Sequence, residues 1–237
     1  MNWNAIKLLG LAVCVTGLYA FSDARSQKRK IQGIQISFEG EDNLYLTEDA
    51  VNKLLIQKIG RLENVGKEQI VLNTVESVIQ AHDMVKNAQV YLTVNGKLYA
   101  KITQRHPIGR VTGNRSFYLD DEGRSMPLSI NHSARVPIIT GKITGKSLED
   151  VYVILKFINE DPFLSKNVIG IHIEEESDYR LRFRLDNFVV RLGGVADLAQ
   201  KFNNFKAFYA KASQDKTLAH YQVVSLEFDN QVVCTKI

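Results

Sequence analysis

The side chains best able to do chemistry are a few histidines, and none of them forms a catalytic set with its neighbours. His82 and Asp83 could form a polarised general base, but adjacent residues near a helix end point about 100° apart, so a solvated helix terminus is the simpler interpretation. His106, His132 and His172 stand singly, with no cysteine or repeated acidic partner at zinc-ligand spacing. The sequence therefore predicts no catalytic residue and no zinc site.

The acidic clusters and the glycine pair are also explained by structural roles rather than by ligand binding. Asp120-Asp121-Glu122 offers hard oxygen ligands for a divalent cation, but Asp-x-x-Gly is ordinary turn chemistry and no second acidic cluster has EF-hand spacing. Glu174-Glu175-Glu176 fits a solvated loop, or protection against edge pairing of a strand. Gly193-Gly194 lacks the pattern of a phosphate-binding loop. We therefore expect no metal, no cofactor and no small-molecule substrate.

Composition is that of a globular protein with a modest positive charge. Of the 237 residues, 45% are hydrophobic and 24% are charged, and the net charge is +4. No basic stripe is interleaved with aromatic residues, so nucleic acid is not an expected partner. Cys14 lies in an apolar run and Cys234 lies close to the end of the chain. The two cysteines predict neither a disulfide nor a metal site.

The amino-terminal segment predicts a membrane role. The apolar run Leu8–Phe21 is short against the ~20 residues of a spanning helix, although Ala5, Ile6 and a snorkelling Lys7 can extend it. A cleaved secretory signal peptide is the rival interpretation. The basic residues after the run would keep the body in the cytoplasm by the positive-inside rule, whereas the signal-like length favours export, which we expect. The predicted anchor residues are Leu8, Leu9, Leu11, Val13, Val15, Leu18 and Phe21.

The first half of the body reads as strand, helix, helix, strand, strand. Ile34–Phe38 alternates as a strand, Thr47 is the predicted N-cap of one helix, and a second helix carries Ile70, Val71, Val75, Val78 and Ile79. Asn95-Gly96 predicts a hairpin, and only a three-residue loop, Val94–Gly96, puts the apolar residues of both strands on one face. Pro107 is expected to close this domain because proline is excluded from central strands.

The second half predicts short strands and two helices. Phe117–Leu119 and Val136–Ile139 are strands, Ser147 is the predicted cap of a helix, and a second helix carries Leu198, Phe202, Phe205 and Tyr209. The runs Val168–Ile173, Tyr179–Leu185 and Phe188–Leu192 predict a meander. Tyr221–Phe228, a turn at Asp229-Asn230 and Gln231–Thr235 predict a final β-hairpin. The fold class is therefore α+β.

Read in order, these segments resemble the FtsQ/DivIB family of bacterial cell-division proteins. The resemblance rests on K-N-A-Q-V-Y-L-T-V-N-G-K-L-Y-A-K-I-T-Q-R-H-P-I-G-R-V, Y-L-D-D-E-G, V-P-I-I-T-G and Y-Q-V-V-S-L-E-F-D-N-Q-V-V. R-H-P-I-G-R-V looks like the family's link between two domains. The resemblance implies a cytoplasmic tail at 1–7, a transmembrane anchor at 8–21, a polar linker at 22–30, a polypeptide-transport-associated (POTRA) domain at 31–106 and a mixed β domain with helices at 107–237.

The resemblance also implies a function. It implies a non-enzymatic, single-pass scaffold of the cell inner membrane with its bulk in the periplasm, which recruits FtsB-like and FtsL-like partners and the septal peptidoglycan synthesis machinery. The implied contact is similar to β-augmentation. The matching positions are Phe228, Asn230, Gln231, Val232, Val233, Cys234 and Thr235. On this basis we expect Val233→Pro to remove an edge donor and abolish capture while leaving folding largely intact.

Two departures from the family's pattern and two alternative functions stay open. Relatives commonly have aspartate-leucine-arginine-tyrosine where this chain has Ser225-Leu226-Glu227-Phe228, so either the partner differs there or the backbone carries the contact. The implied cytoplasmic tail is also too short for a docking element. An exported POTRA-containing chaperone or secretion component is the alternative, although no long barrel of alternating strands follows the first domain. An exported hydrolase is a third class, for which no nucleophile is found.

Overall fold

The structure is a computed structural model, in which the chain forms two compact units. It describes residues 3–27, 31, 33–40, 43–62, 71–113, 115–228 and 231–237. Contacts divide the chain into Met1–Gln104 and Arg105–Ile237. Among the sequence predictions, Ile70, the turn Asp229-Asn230 and residues 28–30 of the polar linker lie outside the described residues.

An amino-terminal helix, α1 (Trp3–Gln27), contains the predicted anchor. The seven anchor residues are all exposed, at 58% to 70% of their surface, so none of them belongs to a protein core. Within the described part of the chain, no helix has both the length and the apolar character needed to cross a membrane. The transmembrane role of Leu8–Phe21 stays a prediction.

The rest of the first unit is a three-stranded sheet with two helices. Its elements are β1 (Gly33–Glu39), α2 (Glu48–Lys58), α3 (Leu72–Gln80), β2 (Val85–Leu92) and β3 (Lys97–Gln104). The strand order is β1-β3-β2, with β1 parallel to β3 and β2 antiparallel to it. Thr47 caps α2, since its side chain accepts a hydrogen bond from the Ala50 amide at 3.2 Å. The predicted order of elements is confirmed.

The hairpin of β2 and β3 has the predicted register. The Thr93 amide donates to the Lys97 carbonyl at 2.9 Å, which leaves three residues in the loop, and Gly96 has a φ of +83°. Leu92 therefore pairs with Leu98, and Leu98, Ala100 and Ile102 are completely buried. The register places the apolar side chains of both strands on one face, and a shift of one residue would expose them.

The second unit is a nine-stranded sheet with its helices packed on one face. Its strands are β4 (Pro107–Val111), β5 (Phe117–Asp120), β6 (Ser125–Met126), β7 (Ile138–Gly141), β8 (Val168–Glu175), β9 (Asp178–Phe183), β10 (Val189–Gly193), β11 (Tyr221–Ser225) and β12 (Val233–Lys236). Its helices are α4 (Gly145–Glu160), α5 (Pro162–Asn167), α6 (Leu198–Gln214) and a short 3-10 turn, Leu218–His220. The strand order is β12-β11-β10-β9-β8-β7-β4-β5-β6. Residues such as Ile154, Leu164 and Phe205 pack the helices against alternate strand residues in one core.

Three local predictions are wrong or incomplete. The first unit ends at Gln104, close to Pro107, but the reason given for it is wrong: Pro107 begins β4, a strand between β5 and β7, because a proline at the first position of a strand removes little of the ladder. Ser147 is not the N-cap of α4. The cap is Thr144, whose side chain accepts from the Ser147 amide at 3.1 Å while the Ser147 side chain accepts from the Thr144 amide at 2.8 Å. Helix α5 was not predicted, although Asp161 followed by proline is a standard helix start.

The final hairpin forms, but its strands are shorter than predicted. Strand β11 ends at Ser225 and β12 begins at Val233, so Phe228, Gln231 and Val232 lie between the strands. The predicted meander is confirmed, since β8, β9 and β10 pair in antiparallel order. Strand β11 joins it in parallel to β10.

Candidate functional site

Strand β12 is a terminal strand of the large sheet. In the part of the chain that the structure describes, it pairs only with β11, through Val223–Thr235, Val224–Cys234 and Ser225–Val233. Its residues are exposed except for Cys234, which packs against the core and is half-buried. A terminal strand of this kind leaves backbone donors and acceptors available to an extended segment from another chain.

The direction of each amide on β12 follows from one hydrogen bond beyond its end. The Ile237 amide donates to the His220 carbonyl at 3.0 Å, so it points towards β11. Amides alternate in direction along a strand, and the irregularity in this pair lies on β11, between Tyr221 and Val223. The Val233 and Thr235 amides therefore also point towards β11, whereas those of Cys234 and Lys236 point outwards.

This alternation corrects the choice of Val233→Pro as a test of the edge. The Val233 amide belongs to the ladder with β11, so a proline there would weaken the hairpin itself. Cys234 and Lys236 carry the outward donors. The sequence prediction included Cys234 but missed Lys236. Lys236 is identified by counting alternate residues back from the hydrogen bond at Ile237.

The predicted partner-binding residues are divided between the strand and the loop before it. Val233, Cys234 and Thr235 lie on β12. Phe228, with half of its surface exposed, and Gln231 lie in the loop, together with the half-buried Val232. Asn230 is outside the described residues.

Glu227 is held by contacts within its own unit. The Ser225 hydroxyl donates to Glu227 Oε2 at 2.8 Å, and Arg191 Nε lies 3.6 Å from the same oxygen. This residue occupies the position where the family resemblance implies a basic side chain. Its charge is therefore partly neutralised by Arg191, and this charge reversal does not place an isolated negative charge beside the edge.

A hollow of about 190 Å³ adjoins the loop before β12. Phe228, Gln231 and Leu226 line one side, and Gln200 and Asn204 of α6 line the other. The start of α6 is tied to the end of β10, because Lys201 Nζ donates to the carbonyls of Leu192 at 3.0 Å and Gly194 at 2.8 Å. Sequence reasoning missed the α6 residues, since nothing local indicates that a helix some 25 residues upstream lies against this loop.

The side chains with possible catalytic chemistry serve the fold. His82 Nδ1 accepts from the Met84 amide at 3.2 Å, and burial lowers the pKa of His82. Asp120 is buried and builds its turn, with Oδ1 accepting from the amides of Glu122 at 3.0 Å and Arg124 at 2.7 Å. Arg105 lies 3.3 Å from its other oxygen. Over the described residues, no group of three or more histidine, cysteine or acidic side chains could hold a metal ion.

The three consecutive glutamates are each paired with a basic side chain. Glu174 lies 2.9 Å from Arg180, and Glu175 lies 2.8 Å from Lys142. Glu176 lies 3.7 Å from Lys146. The first two residues belong to β8 rather than to a loop.

Comparison with family models identifies the family of this chain. The family model described as FtsQ/DivIB, C-terminal related, matches residues 106–235, which is more than half of the 237 residues. This chain belongs to the FtsQ/DivIB family. A model of the POTRA-like domain matches residues 30–103, the region of the three-stranded sheet. FtsQ/DivIB proteins are non-catalytic scaffolds of bacterial cell division, so this member has a scaffold role among divisome proteins.

Among solved structures, this FtsQ/DivIB chain is similar to the major extracytoplasmic domain of the trans isomer of the bacterial cell-division protein DivIB from Geobacillus stearothermophilus. The two are 18% identical, the match covers 47% of this chain and 96% of that chain, and the TM-score is 0.34. No curated protein matches the chain.

Proposed function

We propose that this FtsQ/DivIB member captures an extended segment of an FtsB-like protein along β12 and, together with an FtsL-like protein, recruits the septal peptidoglycan synthesis machinery. One observation carries the proposal: β12 is a terminal strand whose Cys234 and Lys236 amides point outwards. An added strand would receive hydrogen bonds from these donors and would give its own to the outward carbonyls. Each new bond replaces bonds to water, so recognition rests on several of them together.

Backbone pairing is the form of contact that this chain supports best. Glu227 is engaged with Ser225 and Arg191, so a partner gains little from a charge placed opposite it. The hollow beside Phe228, which Gln200, Asn204 and Gln231 also line, could receive a polar side chain of the bound segment. Main-chain bonds would then supply affinity, and the hollow would supply specificity.

The same proposal includes attachment to the inner membrane by α1, with both units in the periplasm. The exposed apolar side chains between Leu8 and Phe21 support it, because exposed apolar surface is more favourable in lipid than in water. A reporter that is active only in the periplasm, inserted at the exposed turn near Lys216, tests the topology. Activity is expected. A reporter that works only in its cytoplasmic form at this position would refute periplasmic placement.

The edge is tested by Cys234→Pro, with Cys234→Ala as the matched control. Both variants remove the thiol, but only proline removes the outward N–H and places ring carbons in the path of the added strand. Losing one donor and leaving a partner carbonyl unpaired costs about 1–3 kcal/mol, so we expect Kd for the FtsB-like protein to rise roughly 5-fold to 150-fold. The alanine variant should bind as the wild type does.

The measurement is titration of the purified full-length chain in detergent with the FtsB-like protein of the same organism. Urea unfolding of both variants checks that the hairpin remains. Val233→Pro serves as a contrast, since loss of a ladder donor should lower the urea midpoint. Equal affinity of Cys234→Pro and Cys234→Ala, with both folded, would rule out the β12 edge as the binding site.

A further inference from the structure

The face of the large sheet that lies opposite the helices contains a second concave site. Strand pairing places Arg110, Ile138, Gly170 and Arg182 side by side on β4, β7, β8 and β9. The residues next to them along these strands, such as Ile139 and Ile171, belong to the helix-covered core. Ile138, Gly170 and Arg182 therefore project from the face opposite the helices, whereas Arg110 pairs with the buried Tyr118.

Gly170 leaves a gap in the row. A hollow of about 150 Å³ lies there, lined by Ile138, Thr140, Gly170, His172 and Arg182 together with the backbone of the neighbouring residues. This volume is about ten times the 10–15 Å³ that one water molecule requires, so it can take a small polar group with part of its stem. Glycine inside a strand often marks a place where another molecule approaches the backbone closely.

One unpaired positive charge lies beside this hollow. Arg182 lines it, and among the described residues Arg182 forms no ion pair. Arg110, on the far side of Ile138, does not line it. A ligand that carries a negative charge would compensate the guanidinium of Arg182.

Two neighbouring basic side chains are already paired with acids. Arg180 lies 2.9 Å from Glu174, and Arg191 lies 3.6 Å from Glu227 and 3.9 Å from Asp178. An extended polyanion or an anionic membrane surface binds through many uncompensated charges spread over a wide area. Here the uncompensated charge is local, which favours one discrete anionic group.

The lining selects a carboxylate on a short apolar stem. A guanidinium binds a carboxylate through two parallel N–H donors, and Arg182 is exposed at the rim of the hollow. Ile138, with 48% of its surface exposed, offers an apolar wall for methylene groups. Thr140 is engaged with His172, since its hydroxyl lies 2.9 Å from Nδ1. A glutamate side chain combines the charge and the stem that this lining fits.

We propose that the hollow over Gly170 binds an acidic side chain, glutamate before aspartate, of a partner polypeptide. Gly170 lies on β8, four strands away from β12, which at about 4.8 Å per strand is roughly 19 Å. It is therefore separate from the edge contact proposed above. The hollow would bind a side chain, whereas the β12 edge would bind a backbone. The two sites can be tested independently.

The test uses the full-length chain in phosphatidylcholine nanodiscs, with 13C-methyl isoleucine. The probe is the peptide acetyl-Thr-Val-Glu-Val-Thr-amide, and its counterpart has glutamine in place of glutamate. We expect a saturable shift of the Ile138 methyl signal with the glutamate peptide and none with the glutamine peptide. Equal shifts from both peptides, or no saturable shift from either, would overturn the proposal.

Two variants and one control locate the site. Arg182→Ala should weaken binding of the glutamate peptide roughly ten-fold or more. Gly170→Ala should also weaken it by filling the hollow. The new Cβ would lie 3.8 Å from Arg182 Cβ but only 3.3 Å from the Ile138 carbonyl oxygen, a tight contact, so urea unfolding is measured alongside to check that this variant stays folded. Arg184→Ala removes the same charge from a residue whose Nε donates to the Lys166 carbonyl, and it should leave affinity unchanged.

Retained affinity in Arg182→Ala, or an equal loss in Arg184→Ala, would contradict the assignment. Repeating the experiment in nanodiscs that contain phosphatidylglycerol tests whether this face binds an anionic membrane surface instead of a peptide. We expect the Ile138 signal to stay in place without peptide. A shift caused by phosphatidylglycerol alone would assign the face to an anionic membrane surface and overturn the peptide proposal.

Discussion

Asp161 connects all three helices of the second unit, and its replacement gives the most quantitative test of the fold. It follows the last turn of α4 and caps α5, with Oδ1 accepting from the amides of Phe163 at 2.9 Å and Leu164 at 3.0 Å. Its other oxygen, Oδ2, accepts from Lys206 Nζ of α6 at 2.7 Å. The two oxygens thus have separable roles, one as a helix cap and one in an ion pair.

The structure sets the expected loss for each role. Removing an N-cap costs about 1 kcal/mol, and a hydrogen bond between charged groups contributes about 1.5–3 kcal/mol. Lys206 keeps 35% of its side chain exposed, so solvent screening places the pair at or below the low end of that range. We expect Asp161→Ala to lower the free energy of unfolding by about 2–2.5 kcal/mol, the sum of the two contributions. Asp161→Asn, which keeps the cap, should lose about 1–1.5 kcal/mol.

The pair also gives a pH dependence with a defined sign. The hydrogen bond from Lys206 lowers the pKa of Asp161, burial opposes this, and the amide bonds from Leu164 and Phe163 lower the pKa further. A carboxyl group with a depressed folded pKa contributes stability above its unfolded pKa of about 3.9, and that contribution is lost as pH falls through the folded pKa. Asp161→Asn should therefore flatten the acid limb of the stability curve.

Urea unfolding of the full chain, followed by circular dichroism at pH 7 and at steps below pH 5, measures both effects. The data should be fitted with a transition for each unit, because two units need not unfold together. If Asp161→Asn is as destabilising as Asp161→Ala, the cap contributes nothing measurable. If its acid limb matches that of the wild type, the pairing with Lys206 does not set the pKa.

Two further predictions concern the same unit. Tyr179 donates to Asp150 Oδ2 at 2.6 Å, and burial raises the pKa of Tyr179, so Tyr179→Phe should lower unfolding free energy by about 1.5–3 kcal/mol. That contribution should be lost in the wild type as pH rises above the unfolded tyrosine pKa of about 10, and an unchanged urea midpoint in the variant would refute it. Gly141 has a φ of +102°, and an added Cβ would overlap the Ile173 carbonyl, so Gly141→Ala should cost roughly 3 kcal/mol. Gly145→Ala is the control, since its Cβ would meet nothing within 4 Å, and it should leave the thermal midpoint equal or slightly raised; similar losses in both would contradict the clash.

Local patterns predicted the hairpin of the first unit because the information lies within a few residues. Asn95-Gly96 identifies the turn, and the alternation of apolar residues on both sides permits only one register. The same locality explains the error at α4. Thr144 and Ser147 are both good caps three residues apart, and propensity alone cannot tell which begins the helix when each side chain bonds the other's amide.

Pro107 shows where a local rule fails. The rule against proline in a central strand describes a residue that must donate to the ladder, and a residue at the start of a strand is exempt. Whether β4 lies inside the sheet depends on β7, some thirty residues later, which pairs with it in parallel. No feature near Pro107 indicates that pairing.

Local patterns in the sequence were enough to predict the family and, except for α5, the helices and most strands in their order, because hydrophobic periodicity, turn residues and linear motifs are local properties. Tertiary structure alone decided which strands are neighbours: the insertion of β4 between β7 and β5, and the parallel pairing of β10 with β11 that makes β12 terminal. It also decided that the Cys234 amide faces outwards and that Gly170 lies between Ile138 and Arg182 on neighbouring strands. These features arise from contacts between residues distant in sequence, where each strand offers two edges and the packed core selects one arrangement.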